Sequence, residues 1–282
     1  MQVEIAGSAG YCFGVKRALK ITETTLRKYK DKNIKVYSIG QIIHNHGVID
    51  DLKTKGLLLV ENEEQIEPGS VFIVRSHGMS PDFIKKIKAK GVKIVDTACP
   101  FVKRAQSKAK MLSGRGYHLV IIGNSKHPEV LSEMEHADKD NLTIIETPSE
   151  LETLKKHKKI GVIMQTTQIK ENAKAIIAGL LDKADEILIA NTICVITENR
   201  QEVTRELAKK VDTMFVVGGK NSANTAHLAQ ISAQYCNNTH HIESYKEIKN
   251  SWLGNTKKAG ISGGASTPRE DIRDVKEFLD KL

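Results

Sequence analysis

The chain has 282 residues, a formal net charge of +9, 40% hydrophobic and 27% charged residues, a balance that excludes a disordered polyelectrolyte and suits two or three globular domains. No apolar run approaches the roughly 18 residues of a membrane span, the acidic opening MQVEIAGSAG lacks the features of a targeting segment, and the low aromatic content with no stacking platform argues against nucleic acid as a partner. The lysine excess, in stretches such as KYKDKNIK and LKKHKKI, reads as solvated helix faces or as attraction for an anionic small substrate or an acidic protein.

In chain order, the first β-type run is VEIAGSAGYC, ending at Cys12, and the helix-like GVKRALKITETTLRKY follows it. Next comes a strand–loop–helix unit, KVYSIGQIIHNHGVIDDL, whose loop carries His44 and His46. A third strand, in VFIVRSHGMSP, ends in a polar turn with Arg75, Ser76 and His77. Then the series restarts. VKIVDTAC ends at Cys99 and opens PFVKRAQSKAKML, with Pro100 where a first-turn proline belongs. HLVIIGNSKHPEVLSEM supplies His127 and Glu129, and GVIMQTTQIK supplies Thr166 and Thr167. A third round reads EILIANTIC to Cys194, a helix from ENRQEVTRELAKKV, MFVVGGKNSANTAHLAQI with Ser222 and Asn224, and AGISGGASTP with Ser266 and Thr267. The twin segments CFGVKRA and CPFVKRA are the clearest mark of this internal repeat.

Strands alternating with helices predict an α/β fold with a parallel sheet in each of three similar lobes. The expected boundaries are 13–97, 98–192 and 193–282, with residues 1–12 packing with the last lobe. Ligands of such sheets gather at the carboxyl ends of the strands, where all these loops fall. Three cysteines at one internal position predict a pseudo-threefold arrangement with the sulfurs converging, each near a helix N-terminus that favours the thiolate. Taken singly, each is equally a small apolar core residue. Cys236 breaks the phase and is read as packing. The spacings do not suit structural zinc. A cubane iron–sulfur cluster held by Cys12, Cys99 and Cys194 would keep one iron open, a Lewis acid beside an electron source. The absence of any C-x-x-C pair makes a disulfide framework or a redox motif unexpected and a reducing cytoplasm the expected location.

Histidine and hydroxyl donors in Gly-rich loops at helix starts suit phosphate oxygens, although Ser, Asn and Thr also cap helices there. Glu129 stands apart as a carboxylate among donors. It reads either as a proton source with a raised pKa or as an ordinary first-turn glutamate. His118 is expected to be structural, and His136, His157, His240 and His241 to lie at the surface.

AGYCFGVKRAL, HNHGV, RSHG, DTACPFV, HPEV, QTTQ, TICVITENRQ, KNSANT and ISGGASTP, in this order over almost the whole chain, resemble the 4-hydroxy-3-methylbut-2-enyl diphosphate reductase family. The resemblance implies a cloverleaf of three α/β lobes around a [4Fe–4S] cluster ligated by Cys12, Cys99 and Cys194. It also implies reductive dehydroxylation of an allylic diphosphate to isopentenyl and dimethylallyl diphosphate, with ferredoxin or flavodoxin as electron donor. His44, His77, His127, Ser222, Ala223, Asn224 and Ser266 fall on its diphosphate contacts. Thr166 falls beside the substrate hydroxyl, and Glu129 on the proton donor. Ala223 stands where the family often has a second serine, so only a backbone amide contact survives there. Two rivals remain at this point: a three-cysteine dehydratase of the quinolinate synthase kind, which needs no reductant, and a non-enzymatic metal-binding protein.

Overall fold

A computed structural model describes the whole chain, Met1–Leu282. Its elements alternate almost without exception. The first third holds β1 (Gln2–Ile5), α1 (Phe13–Lys30), β2 (Val36–Ile39), α2 (His46–Thr54), β3 (Leu57–Val60), β4 (Val71–Val74), α3 (Pro81–Ala89) and β5 (Lys93–Asp96). The middle holds α4 (Pro100–Gly114), β6 (His118–Ile122), α5 (Pro128–Met134), β7 (Leu142–Ile145), β8 (His157–Met164), α6 (Lys170–Leu180) and β9 (Ala184–Ile189). The last part holds α7 (Val195–Ala208), β10 (Thr213–Val217), α8 (Ala223–Ala233), β11 (Thr239–Ile242), β12 (Lys258–Gly263) and α9 (Arg269–Asp280). Helices α3, α4 and α5 each begin on a proline, whose fixed φ and missing N–H cost nothing in a first turn.

The strands form three four-stranded sheets, ordered β1-β12-β10-β11, β3-β2-β4-β5 and β7-β6-β8-β9, and every neighbouring pair is parallel. The plan is the same in each. The strand leading to a cysteine (β1, β5, β9) lies at one edge. Beside it is the strand ending in the second polar loop (β12, β4, β8), then the strand ending in the first (β10, β2, β6). The central strands β4, β6 and β10 are buried at every position, as parallel strands covered on both faces must be. The edge strands β1, β5 and β9 hold only exposed and half-buried residues.

The chain groups into two compact units. One comprises Met1–Val15, His44–His46 and Val195–Leu282; the other comprises Lys16–Ile43 and Gly47–Cys194. The first unit contains one sheet, with apolar cores on both faces: Phe215, Val217, Ile261 and Ile272 on one, Met214, Val216, Leu207 and Leu228 on the other. His44 belongs to this unit because Ser266 Oγ donates to its carbonyl at 2.8 Å. The second unit contains the other two sheets. The sheet around β6 and β8 is again filled on both faces, by Val120, Val162 and Ile176 and by Leu119, Ile121 and Leu112. Phe72, Val74 and Ile87 fill the sheet around β4.

The outer strands β3, β7 and β11 form a further edge in each sheet that the three-unit reading passes over; β3 (LLLV) and β7 (LTII) are apolar runs. β11 is Thr239–Ile242, THHI, which hydropathy does not mark as a strand. Its His240 was expected at the surface; it is instead half-buried, its ring stacked on Trp252 with centroids 3.8 Å apart. His157 likewise stacks on the buried His118, at 3.6 Å. Both imidazoles present flat apolar faces, and burial pushes the pKa of each of His157 and His240 down.

Candidate active site

None of the three repeated cysteines is in a disulfide, and each is placed just ahead of a helix: Cys12 before α1, Cys99 as the N-cap of α4, Cys194 before α7. One hydrogen bond recurs at each. The amide of Cys12 donates to the Ala265 carbonyl at 3.0 Å, that of Cys99 to Ser76 at 2.9 Å, and that of Cys194 to Thr166 at 3.0 Å. Ala265, Ser76 and Thr166 all occupy the second position past their strands β12, β4 and β8. The sequence repeat is therefore a structural one, and each thiol is pinned to the polar loop of its own sheet. Thiols outside any disulfide, with their amides anchored at helix starts, are the soft donor set that an iron–sulfur group takes. Cys236 is different. It lies beyond α8, buried against Leu207, Met214 and Leu228, with Sγ turned to the Asn238 carbonyl, and burial pushes its thiol up.

In the larger unit, the polar loops after β4, β6 and β8 bring four expected residues together. The rings of His77 and His127 meet edge-on with centroids 5.6 Å apart. His77 precedes Gly78, whose φ of +82° and lack of Cβ are both required, since a Cβ there would lie 2.2 Å from Gln106 Nε2. His127 caps α5, its Nδ1 accepting from the Glu129 amide at 3.2 Å. With Nδ1 accepting, the neutral ring carries its hydrogen on Nε2, where it can donate to an anion. Ser76, expected among the donors, instead turns its hydroxyl to the Ile42 carbonyl. Thr167 accepts from Gln165.

Glu129 is buried, in the first turn of α5. Thr166 reaches it twice: its amide donates to Oε1 at 2.6 Å and its hydroxyl to Oε2 at 2.8 Å. Burial raises the Glu129 pKa, and the Thr166 amide and hydroxyl draw it partly back. A second acid, which the sequence reading did not pick out, stands one turn on. Glu133 is fully buried on the same helix and is held well above the usual carboxylate range, first by burial and then by the charge of Glu129. The signal was the E-x-x-x-E spacing, which puts both carboxyls on one helix face.

In the smaller unit, Ser222 caps α8, its Oγ accepting from the Thr225 amide at 3.4 Å. Ala223 is the first helical residue. Asn224 is buried, and neither its amide nitrogen nor its amide oxygen meets a partner. A buried primary amide left unsatisfied at a helix start marks a place for a polar ligand. Ser266 directs its hydroxyl to the His44 carbonyl, and Thr267 directs its own to Val217. Arg200, also missed from sequence, organises these loops. It is buried, and its guanidinium donates to the carbonyls of Gly263, Gly264 and Gly10, the last at 2.7 Å.

The LytB protein family model matches residues 3–280. The chain belongs to the LytB family. Its LytB relatives include the 4-hydroxy-3-methylbut-2-enyl diphosphate reductase of Caldanaerobacter subterraneus subsp. tengcongensis, 41% identical, with 100% of this chain and 98% of that one covered. That of Aquifex aeolicus is 38% identical over 100% and 97%. A solved structure of (E)-4-hydroxy-3-methyl-but-2-enyl diphosphate reductase, described as the terminal enzyme of the non-mevalonate pathway, is 37% identical with a TM-score of 0.71 and full coverage of both chains. The Plasmodium falciparum E-1-hydroxy-2-methyl-but-2-enyl-4-diphosphate reductase superposes with a TM-score of 0.90 at 25% identity, covering 100% of this chain and 87% of that one. LytB membership over the full length sets aside the quinolinate synthase rival and the bare metal-binding rival.

Proposed function

We propose that this chain catalyses the reductive dehydroxylation of (E)-4-hydroxy-3-methylbut-2-enyl diphosphate to isopentenyl and dimethylallyl diphosphate. The observation that carries the reading is the buried Glu129 carboxyl gripped by Thr166, in a chain whose full-length relatives carry that name.

Removal of the hydroxyl as water takes two electrons and two protons. Cys12, Cys99 and Cys194 are the ligands of an iron–sulfur group in this reading, a [4Fe–4S] cluster with one iron free of protein ligands. When bound, that group supplies electrons and Lewis acidity. The chain's own residues do the rest. His44, His77, His127, Asn224, Ser222, Ser266 and the Ala223 amide hold the diphosphate tail, and binding energy from that tail orients the reacting end. Thr166 steers the hydroxyl, and Glu129 delivers a proton to the departing oxygen so that water leaves. The three lobes, divided near residues 97 and 192, each contribute loops to this work. A ferredoxin or flavodoxin is the proposed electron donor, and its acidic surface suits the +9 net charge. The working compartment is a reducing cytoplasm. No helix is long and apolar enough to cross a membrane.

The test is anaerobic purification, cluster loading and incubation with substrate and a chemical reductant, with products read by chromatography. Both isoprenoid diphosphates are expected, with no turnover when reductant is omitted. An iron-loaded protein that yields neither product would overturn the reading.

A further inference from the structure

Glu129 and Glu133 are 2% and 0% exposed and lie one turn apart on α5. Thr166 satisfies Glu129 from one side. No N–H or hydroxyl of the protein reaches either carboxyl oxygen of Glu133, and the Glu129 carboxyl lies one turn back on the same helix face. Two buried carboxyls so close, one of them without any donor, do not both stay ionised, so the pair holds a proton.

The surroundings leave no other source of compensation. On the same segment, His127 caps the helix, Glu135 pairs with Lys139, and the His136 ring contacts the Ser132 carbonyl. From α4, the neutral amide of Gln106 donates to Ser132. From the loop after β4, His77 meets His127 and Ser80 meets Glu135. The charge acting on Glu133 is that of Glu129. Emptying the pair would leave two buried charges side by side, which low-dielectric surroundings penalise heavily.

We propose that Glu133 is the proton store behind Glu129: the two carboxyls share one proton, held on Glu133 at rest, and it passes through Glu129 to the departing hydroxyl. In this step the Glu133 O–H bond breaks as a Glu129 O–H bond forms, and that bond breaks in turn as the departing oxygen takes the proton, each electron pair staying on its carboxyl oxygen. The emptied pair is the penalised doubly ionised state, so it takes a proton back from solvent water after turnover. Glu133 is a positioning residue, acting on substrate only through Glu129. The proposal rests on the reductase reading for its chemistry, but the shared proton does not.

Infrared difference spectra of the full-length, cluster-loaded protein with isotope-labelled glutamate test the shared proton directly. A protonated-carboxyl C=O band is expected at neutral pH, absent in Glu133→Gln. Steady-state kinetics test its use. In Glu133→Gln the alkaline limb of the kcat/KM profile is expected to move down by about one pH unit or more, with KM little changed and Glu133→Asp restoring part of the shift. A missing band in the wild-type protein, or an alkaline limb that stays in place in a folded Glu133→Gln, would overturn the proposal. If that variant does not fold, the wild-type band decides alone. A wild-type protein without turnover refutes the reductase reading, while the infrared result still decides the acid pair.

Discussion

Thr166 holds Glu129 by both ends of the carboxyl, amide to Oε1 and hydroxyl to Oε2, and its own carbonyl takes the amide of Cys194. One residue thus links the proposed proton donor to a proposed cluster ligand. Both contacts originate at the carboxyl end of β8.

Removing the hydroxyl alone separates positioning from mere presence. Thr166→Val keeps the backbone bond and loses the bond from the side chain. A hydrogen bond to a charged group is worth roughly 1.5–3 kcal/mol, so turnover should fall about ten- to a hundredfold, with Thr166→Ser near wild type. Steady-state kinetics at saturating substrate measure it.

Glu129→Gln preserves shape and removes the transferable proton. Turnover should fall by about a hundredfold or more, while iron content and substrate affinity hold. Iron analysis and calorimetric titration with substrate are the controls; unchanged turnover takes Glu129 out of the proton path.

Cysteine replacements divide by phase. Cys99→Ser should abolish cluster retention, whereas Cys236→Ser, at a buried site where the thiol is held protonated, should leave iron content as it was. Iron and sulfide analysis after anaerobic reconstitution distinguishes them. Loss of iron in Cys236→Ser would mean that the ligand set is wrong.

Arg200→Met should destabilise the fold. It strands the carbonyls of Gly10 and Gly263, each orphan costing roughly 1–3 kcal/mol, and leaves that of Gly264 with the Thr267 amide alone. A lowered Tm is expected, with Arg200→Lys intermediate because one ammonium cannot span three acceptors.

Stability should also report the acid pair through pH. The folded pKa of Glu133 is raised, so its contribution is fully present below the unfolded value of about 4.3 and is lost as pH rises through the folded pKa. Glu133→Gln should therefore gain on wild type as pH increases from 4 to 8. Thermal melts across that range check the sign; a gain that is largest at low pH would be the wrong one.

Much of this protein was legible along the chain because its cues are local. Apolar runs ending in Cys12, Cys99 and Cys194, first-turn prolines and Gly-rich turns specify strand, turn and helix within a few residues, and their threefold recurrence announced three equivalent sheets. Even the thiol positions at helix starts followed from spacing. What the sequence left open depended on partners far along the chain. β11 exists because a parallel edge was there to pair with, not because THHI declares a strand. Ser76 and Thr267 looked like ligand donors, yet their hydroxyls turn to backbone carbonyls that only the folded loops bring near. Glu129 could be a helix-capping acid or a proton source on spacing alone. Burial, the paired bonds from Thr166 and an equally buried Glu133 are what support the second, the role proposed above, because desolvation and neighbouring charge, which set a carboxyl's proton affinity, come into being only when the chain has packed.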